Sequence, residues 1–392
     1  MIFIPSWYPV FNSKGGNYFV TLLKLHKDYY PDTVMLYVHL ETLPSIWNKL
    51  LSLLLKFKIL RILFFNFQKK FLKIEKDANG DIMVFAYTPF SHENQNYYYI
   101  HLFMCYDFLY RTHLNHIKQI SAQSVEYAGL LAFHLRKKYG DIQYTITEHN
   151  YFTSGRFTTK MWPSIRSAFK NAETVYFCSN DKQRQVLATG VEIIRANRRI
   201  NYNYVPETQK IIRPYIRGNK LNIITVASAS HFKDLDILVS TLEQLSYLAI
   251  DFCFTLVGFD SWGNSGKYLP LERLKKLGSK ITLIGMLSNE DLICELEKNQ
   301  LFLLTSIAEG MPVSVLEAME LGLICVATQH GGSEEVVING IHGFINNVGD
   351  LDGLVNSILK VFEGKFTHVP ELNKRRAQYF CSSHKYAERT FL

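Results

Sequence analysis

Short apolar runs alternate along the chain with stretches of helical character. An apolar run bounded by polar residues predicts a strand that is buried on both faces of a parallel sheet. Strands that alternate with helices predict an α/β protein. The predicted strands are residues 2–4, 34–38, 82–87, 144–147 and 174–178 in the first half, and residues 222–226, 252–258, 280–284, 301–304 and 323–327 in the second half.

The predicted strands fall into two sets that are separated by a polar stretch at residues 197–219, which contains several Asn and Arg residues and two Pro residues. Such a composition favours a linker. We therefore predict two domains, residues 1–200 and 201–375, followed by a final helix at residues 376–392.

The composition indicates a globular protein, because 47% of the 392 residues are hydrophobic and 20% are charged. The net charge of +8 is compatible with nucleic acid, an anionic membrane surface or an acidic small molecule as partner. No RNP, zinc-finger or helix-turn-helix motif occurs in the sequence, and we predict no nucleic-acid partner.

The cysteines and the N-terminus indicate the compartment. Six cysteines occur singly, without CxxC or Cys/His metal spacing, as is usual for reduced thiols in the cytoplasm. Residues 1–4 run straight into Pro5 without the basic start of a secretory signal. We therefore predict a cytoplasmic protein.

Residues 44–76 form an insertion in which apolar runs are interspersed with lysines and one arginine. The runs are too short for a membrane span, which needs about 20 apolar residues. Two alternatives remain: a helix that docks on an anionic membrane surface at the inner face, or a helical pair that packs on the domain. The basic residues do not fall on one helical face, which weakens the first alternative.

Glu309 and Glu317 bracket a predicted loop and helix start near the C-terminus. Pro312 suits the first helical position, and Gly331-Gly332 allow close backbone approach after the next predicted strand. Two successive strand-to-helix loops therefore meet at one sheet edge, where open parallel sheets bind ligands. Either glutamate alone would be explained by its favourable position near the start of a helix.

The full pattern is more specific. It runs Glu-Gly-Met-Pro-x-x-x-x-Glu-Ala-Met from Glu309, continues with Gly-Gly-x-x-Glu from Gly331, and ends with Gly-Ile-His-Gly-Phe at 340–344. It resembles the donor-binding half of the GT-B glycosyltransferases, specifically family 4 of the retaining enzymes, most strongly over residues 221–362. The resemblance implies two Rossmann-like domains that face each other across a cleft, with the final helix crossing back to the first domain.

The resemblance also implies roles for residues of the second half. Glu309 would hold hydroxyls of the transferred sugar and Glu317 those of the nucleotide ribose, because a carboxylate accepts two hydrogen bonds with fixed geometry. The donor-binding residues are predicted to be Gly15, Gly16, Ser228, Lys233, Gly285, Met286, Glu309, Gly310, Met311, Pro312, Val313 and Glu317.

Lys233 follows the first strand of the second set, where it could neutralise the charge of a leaving diphosphate. Helix starts disfavour cations, so a lysine there favours an anionic ligand over a purely solvated role. Many members of the family carry a Gly-Arg pair a few residues earlier, whereas this chain has Ala227-Ser228. Because of that departure, no arginine of this chain matches the residue that makes the second phosphate contact in those members.

Two features of the first half match the family. His149 ends a predicted strand, at the position where members place a histidine near the donor sugar, and it could stabilise charge during transfer. Most lone histidines are structural, and the neighbouring Glu148 is predicted to orient its loop. Gly15-Gly16 follow a Ser-Trp-Tyr-Pro segment and precede a helix; an ordinary turn is the alternative there.

Two Asp-x-Asp triplets, at 234–236 and 350–352, are candidates for a metal site. Both lie at predicted helix starts, where aspartate caps free N–H groups. We therefore predict helix capping at these positions, no essential metal and no cofactor.

The sequence predicts a retaining glycosyltransferase that moves a sugar from a UDP- or GDP-sugar to a saccharide or lipid-linked saccharide, in the assembly of a surface polysaccharide or glycolipid. Alternatives are a GT-B nucleotide-sugar epimerase, which needs no acceptor, and a non-catalytic membrane-associated protein that binds sugar nucleotides. The sugar, the base, the acceptor, the linkage and the oligomeric state do not follow from the sequence.

Overall fold

The computed structural model describes residues 1–5, 18–42, 58–68, 72–76, 80–88, 95–149, 152–260 and 265–391. The chain divides into two units, each with its own sheet. Described residues within 1–5, 22–177 and 184–199 belong to the first unit, and those within 18–21, 178–183 and 200–391 belong to the second. The domain boundaries, the cleft and the return of the final helix stay predictions.

The sheet of the first unit has the strand order β3-β4-β2-β1-β5-β6-β7-β8. Its pairings from β4 to β7 are parallel, and β3 joins the edge antiparallel. The sequence order reverses between β1 and β5, the position at which open α/β sheets bind ligands. The strands are β1 (Ile2–Ile4), β2 (Val34–Thr42), β3 (Lys73–Lys76), β4 (Ile82–Thr88), β5 (Gln119–Gln123), β6 (Gln143–Glu148), β7 (Thr174–Phe177) and β8 (Arg198–Ile200).

Helices follow these strands along the chain. They are α1 (Tyr18–Tyr29), α2 (Lys58–Gln68), α3 (Gln95–Leu109), α4 (Leu130–Tyr139), α5 (Trp162–Asn171) and α6 (Asn180–Ala188). Two π-helical turns, Tyr110–Leu114 and Val125–Gly129, extend α3 and precede α4. Short 3₁₀ turns lie at Ser154–Arg156 and Arg195–Asn197.

β5 is a central strand that the apolar pattern did not predict. Its sequence, Gln-Ile-Ser-Ala-Gln, contains only two apolar residues. Ser121 and Gln123 are nevertheless buried, and Gln123 Nε2 donates to Ser121 Oγ at 3.0 Å. Because buried polar groups are tolerated when they are hydrogen-bonded, this strand forms without an apolar run.

The sheet of the second unit has the order β11-β10-β9-β12-β13-β14, and all its pairings are parallel. Counted from β9, this is the Rossmann order 3-2-1-4-5-6, with the reversal between β9 and β12. The strands are β9 (Leu221–Val226), β10 (Phe252–Val257), β11 (Ile281–Ile284), β12 (Leu301–Leu304), β13 (Ile324–Thr328) and β14 (Gly343–Asn346).

The second unit buries two apolar layers, one on each face of its sheet. One layer contains residues of the long helices α7 and α13, such as Leu238 and Ile358, and the other contains residues of α11 and α14, such as Leu316 and Ala377. The helices are α7 (Leu235–Tyr247), α8 (Ser265–Tyr268), α9 (Leu271–Lys276), α10 (Asn289–Leu296), α11 (Val313–Leu321), α12 (Ser333–Val336), α13 (Leu351–Phe362), α14 (Pro370–Cys381) and α15 (Ser383–Thr390). Further 3₁₀ turns lie at His231–Lys233 and Gly278–Lys280.

The C-terminal segment contains two helices, α14 and α15. Ser382 separates them because its backbone is extended (φ −63°, ψ 158°), and its side chain caps α15 by accepting from the Lys385 N–H. In α14 the buried Asn373 donates to the Leu323 carbonyl at 2.6 Å and to the His342 carbonyl at 2.8 Å. These bonds anchor α14 beside β13.

Of the insertion 44–76, the structure describes α2 and β3; residues 44–57 and 69–71 lie outside the described residues. α2 buries Phe65, whose ring packs edge-on against His101 of α3 at 6.1 Å. Its other side leaves Ile59 73% and Leu63 59% exposed. Within the described ranges, no helix has both the length and the apolar content that a membrane crossing requires.

Candidate functional site

The candidate site lies at the carboxyl edge of the second sheet, where the strand order reverses between β9 and β12. Three loops follow strands there: residues 227–234 after β9, 305–312 after β12 and 329–332 after β13. Because the carboxyl ends of parallel strands meet at one edge, these loops carry side chains to one place. The sequence analysis predicted the last two of these loops as a meeting point.

Lys233 and Glu309 form the charged centre of the site. Lys233 Nζ lies 2.5 Å from Glu309 Oε1, and both side chains are 18% exposed. Ser306 Oγ donates to the same carboxylate oxygen at 2.9 Å. Burial alone would raise the pKa of Glu309, but the charge and hydrogen bond of Lys233, with smaller contributions from its other neighbours, lower it. Glu309 is therefore a fixed anion.

His330, in the loop after β13, completes this centre, and the sequence analysis did not identify it. Its side chain is 6% exposed, and its Nε2 lies 2.9 Å from Ser333 Oγ. Burial lowers the pKa of His330 to about 4, so the ring is neutral at pH 7. Its Nδ1 has no hydrogen-bond partner among the described residues. A buried nitrogen without a partner is costly unless a ligand completes it.

Gly332 lets the two loops approach each other more closely than any other residue would. A Cβ at this position would lie 2.5 Å from the Gly310 carbonyl oxygen and 2.9 Å from Met311 Cα. Because these are backbone atoms, they cannot yield without moving the loop. This is the close backbone approach that the Gly331-Gly332 pair predicted.

Two buried threonines fix the same loops from below. Thr305 Oγ1 donates to the backbone carbonyls of Lys233 and Asp234 at 2.9 and 3.1 Å. Thr328 Oγ1 donates to the Ser306 carbonyl at 2.5 Å. These hydrogen bonds link the loops after β9, β12 and β13 to one another. They thereby fix the positions of Lys233 and Glu309 relative to each other.

α11 begins directly after these loops. Pro312 is its N-cap and Val313 its first residue, one position later than the sequence pattern indicated. Ser179 Oγ donates to the Gly310 carbonyl at 2.9 Å and Asn203 Nδ2 to the Met311 carbonyl at 2.8 Å. These bonds occupy the carbonyls of the loop, while the N-terminus of α11 offers N–H groups to an anion.

Glu317 lies on α11, a little more than one turn after its start. Its side chain is half-buried and has no hydrogen bond or ion pair with another described residue. Burial raises the pKa of Glu317 to about 7. A half-buried acid with unused acceptors favours a ligand that brings hydroxyl donors.

Comparison with known proteins shows which proteins this part of the chain is similar to. Residues 207–379 match the family described as Glycosyl transferases group 1. The amylovoran biosynthesis glycosyltransferase AmsK of Erwinia amylovora is 26% identical over 164 residues, which are 40% of each protein. The UDP-Gal:alpha-D-GlcNAc-diphosphoundecaprenol alpha-1,3-galactosyltransferase of Escherichia coli is 30% identical over 125 residues, or 32% of each. The matched part thus spans less than half the length of both relatives.

Residues 207–379 are thus similar to the glycosyl transferases group 1 family. The whole chain has the fold of Anabaena Alr3699/HepE, solved in complex with UDP-glucose, with a TM-score of 0.67 at 15% identity over 99% of this chain and 96% of that one. The predicted GT-B fold, with two Rossmann-like domains, is therefore confirmed.

Ser228 lies on the loop 227–234 of the candidate site, whereas Gly285 and Met286 lie on the loop after β11. Ser228 follows β9 and is half-buried. Gly285 follows β11, where a Cβ would lie 2.6 Å from a carboxylate oxygen of Asp260, and the same carboxylate accepts from the Met286 N–H at 3.1 Å. Asp260 was not identified from the sequence, and it fixes the loop that carries both residues.

Both Asp-x-Asp triplets act as helix caps, as predicted. Asp234 caps α7 by accepting from the Ile237 N–H, and Asp350 caps α13 by accepting from the Gly353 N–H at 2.8 Å. Asp236 pairs instead with Arg273 at 2.7 Å. The absence of an essential metal stays a prediction.

In the first unit, His149 follows β6 and contacts the end of β5. Its Nε2 lies 2.8 Å from Gln123 Oε1, and its backbone N–H donates to Ser124 Oγ at 3.4 Å. Glu148 is 1% exposed and accepts from the Val125 N–H at 2.8 Å, which is the loop-orienting role predicted for it. Gly15 and Gly16 lie outside the described residues.

Proposed function

We propose that this protein is a retaining glycosyltransferase of family 4 that transfers a hexose from a nucleotide sugar to a saccharide or lipid-linked saccharide. Its pathway would build a surface polysaccharide or glycolipid on the cytoplasmic side of the membrane. The observation that carries the proposal is the Lys233–Glu309 pair, held beside the start of α11.

The donor diphosphate would bind between Lys233 and the N-terminus of α11, where an ammonium group and free N–H groups favour an anion. Glu309 would accept hydrogen bonds from hydroxyls of the sugar. His330 Nδ1, which has no partner among the described residues, would bind a further polar group of the donor. Glu317 would accept from the ribose hydroxyls as a carboxylate.

During transfer, the bond between the anomeric carbon and the diphosphate oxygen breaks, and the diphosphate leaves with the electron pair. Lys233 and the helix N-terminus would stabilise the negative charge that develops on it. The acceptor hydroxyl would form the new bond on the face that the diphosphate leaves, and its proton would pass to the diphosphate. Glu309, already held by Lys233 and Ser306, would position the sugar rather than attack it.

UDP-hexoses are the first donors to test, because a UDP-galactose enzyme and a UDP-glucose complex are among the similar proteins. The GDP-sugars remain the second class. Support for a lipid-linked acceptor comes from the name of the Escherichia coli relative, which acts on a diphosphoundecaprenol-linked sugar. The free cysteines of the described chain agree with a cytoplasmic location.

The test is a transfer assay with UDP-glucose, UDP-galactose and GDP-mannose, each with and without a diphosphate-lipid-linked saccharide. We expect a glycosylated lipid and free nucleoside diphosphate only when both substrates are present. NMR of the product should show the same anomeric configuration as the donor. Conversion of the nucleotide sugar without acceptor would instead support the epimerase. No product with any donor, and no nucleotide sugar that raises the melting temperature, would overturn the proposal.

A further inference from the structure

The carboxyl edge of the second sheet continues past β9 to the ends of β10 and β11. Backbone hydrogen bonds join these strand ends: the Ala229 N–H donates to the Phe259 carbonyl at 3.2 Å, and the Gly258 N–H donates to the Ile284 carbonyl at 2.9 Å. The loop after β11 leads into α10, which packs against α11. The edge therefore offers a continuous surface from the proposed diphosphate position to the loop that begins at Gly285.

The order of groups in a nucleotide sugar places its base on this part of the edge. The proposed site holds the diphosphate at Lys233 and the start of α11, and the ribose at Glu317 on the same helix. Because α10 packs against α11, the next group along the nucleotide, the nucleobase, meets the loop that precedes α10. Met286 of this loop is 40% exposed and supplies apolar surface for a base.

Asp260, three residues after the end of β10, contributes a carboxylate to that loop. Its Oδ1 accepts a hydrogen bond from the Met286 N–H at 3.1 Å. Its Oδ2 accepts no hydrogen bond from another described residue. Because the side chain is exposed, a ligand can reach that oxygen.

Gly285 allows the carboxylate to lie against the loop. A Cβ on this residue would lie 2.6 Å from Asp260 Oδ2 and 3.3 Å from Oδ1. Since side-chain carbons do not approach other atoms so closely, any other residue at this position would push the carboxylate away. The glycine thus keeps Oδ1 bonded to the loop and leaves Oδ2 as an acceptor.

Two donors of the same loop are already bonded. The Met286 N–H donates to Asp260, and the Ser288 hydroxyl donates to Asp291 Oδ2 at 2.7 Å. A carboxylate accepts hydrogen bonds and donates none. Guanine matches such a surface, because its N1–H and its N2 amino group are neighbouring donors. Uracil presents one N–H between two carbonyl oxygens, and a carboxylate would leave these oxygens without a donor.

We infer that the donor substrate is a GDP-sugar, with the N1–H and the N2 amino group of guanine donating to Asp260. The inference rests on the proposed function for the position of the diphosphate, and it adds the identity of the base. Two of the similar proteins carry UDP in their names, but they are 30% and 15% identical to this chain. Few side chains select a base, and Asp260 is the one that this chain offers.

Isothermal titration calorimetry with GDP, UDP and inosine diphosphate (IDP) tests the inference on the intact protein. We expect GDP to bind at least about tenfold more tightly than UDP, the size of one bidentate contact with a base. IDP, which lacks only the N2 amino group of GDP, should bind several-fold more weakly than GDP. UDP or IDP that binds as tightly as GDP would overturn the inference.

Asp260→Asn tests the residue. The amide oxygen can keep the bond to the Met286 N–H, whereas the amide N–H groups replace Oδ2 and face the base with donors. GDP affinity should fall about tenfold and become equal to that of IDP, while UDP affinity should not fall. Because the side chain is exposed, the variant should fold.

The matched control is Asp251→Asn, which changes an acid 63% exposed directly before β10. It should leave the affinities for all three nucleotides unchanged. Equal losses of GDP and UDP affinity in Asp260→Asn would assign the carboxylate to the ribose and overturn the inference, as would an unchanged preference for GDP.

Gly285→Ala displaces the carboxylate without changing its charge, because the new Cβ would overlap Asp260 Oδ2. The preference for GDP over UDP should fall several-fold, while UDP affinity stays the same. Gly155→Ala, where a Cβ meets nothing within 4 Å, is the control. A full preference for GDP in Gly285→Ala would contradict the assigned position of the carboxylate.

The outcome is separable from that of the proposed function. Hexose transfer from a UDP-sugar, with UDP bound more tightly than GDP, would leave the proposed function standing and overturn this inference. A preference for GDP that Asp260→Asn removes, without transfer to any acceptor, would leave this inference standing and the proposed transfer wrong.

Discussion

In each sheet the sequence order of the parallel strands reverses once, between β1 and β5 in the first and between β9 and β12 in the second, but the side chains at the two reversals differ. In the first unit, the Glu148 carboxylate accepts a hydrogen bond from the Val125 backbone N–H, and His149 contacts Gln123. In the second unit, Glu317 and the Nδ1 of His330 have no partner among the described residues, beside a close Lys233–Glu309 pair. Hydrogen-bonding capacity that the fold itself uses indicates structure, and capacity left unused indicates a ligand.

Glu309→Gln should lower activity more than any other variant described here. If it does not, the comparison between the two units is wrong. Loss of the anion removes the partner of Lys233 and the proposed acceptor for sugar hydroxyls, so kcat should fall about 100–1,000-fold. Steady-state transfer assays measure this. Glu290→Gln, an exposed acid at the start of α10, is the control and should retain full activity. A Glu309→Gln variant within threefold of the parent rate would contradict the assigned role.

Gly332→Ala should have the next largest effect, since its Cβ would lie 2.5 Å from the Gly310 carbonyl oxygen. Displacing the loop should weaken nucleotide-sugar binding at least about tenfold and destabilise the fold by about 1–3 kcal/mol. Gly155→Ala in the first unit meets nothing within 4 Å and should be neutral. Calorimetry and thermal unfolding would report both, and normal donor binding by Gly332→Ala would refute the close-approach argument.

The raised pKa of Glu317 should make both stability and nucleotide-sugar affinity depend on pH. Burial raises its pKa from 4.5 to about 7, so in the free protein it contributes stability below pH 4.5 that is lost as the pH rises through 7. Donor binding needs the carboxylate, and nucleotide-sugar affinity should therefore fall below pH 7, by up to about tenfold per pH unit. Titrations from pH 5.5 to 8 test this (about one unit to either side of the pKa). The slope should vanish in Glu317→Gln, and a persisting slope would assign the titration elsewhere.

Glu148→Ala sharpens the comparison from the other side. It leaves the buried Val125 N–H without its acceptor, which should cost about 1–3 kcal/mol of stability. Nucleotide-sugar affinity should stay the same, because the residue serves the fold of the first unit. Urea unfolding and donor titration of the same preparation are the measurements, and the reverse result, weaker donor binding at full stability, would place Glu148 in the site.

Asp236→Asn should have the smallest effect. Its carboxylate is 74% exposed and pairs with Arg273 at the surface, so stability should change by less than about 1 kcal/mol. Transfer should be unaffected, and a chelator added to the assay should not lower it. Activity that depends on a divalent cation and is lost in this variant would revise the capping interpretation of the Asp-x-Asp triplet.

Much of this fold follows from local sequence. Every predicted strand has a counterpart, because buried parallel strands require apolar runs such as 301–304. β5 escaped prediction because its buried polar side chains bond to each other, and β14 because Gly343 and Asn346 leave it only two apolar residues. Pairing with β1 and β6, which are distant in sequence, replaces the local signal in β5.

The candidate site was predictable where the signal is a motif and obscure where it is a single residue. Glu309 and Gly332 stand in a fixed pattern, so their loops could be placed side by side. His330 and Asp260 carry no spacing that sets them apart from other histidines and aspartates; only the packed loops bring them to Glu309 and Gly285. Loop contacts of this kind depend on tertiary packing and not on neighbouring sequence.

The anchoring of α14 has a genetic consequence. Asn373 donates to the carbonyls directly before β13 and β14, and Ala377 and Cys381 belong to the same apolar layer as residues of α11. A premature stop codon shortly before Pro370 would leave every proposed donor residue in the product. It would nevertheless remove α14 and expose the side chains of Leu316 and Met319 to solvent. Such an allele should yield an aggregated or proteolysed polypeptide, and would act as a null although its motif is intact.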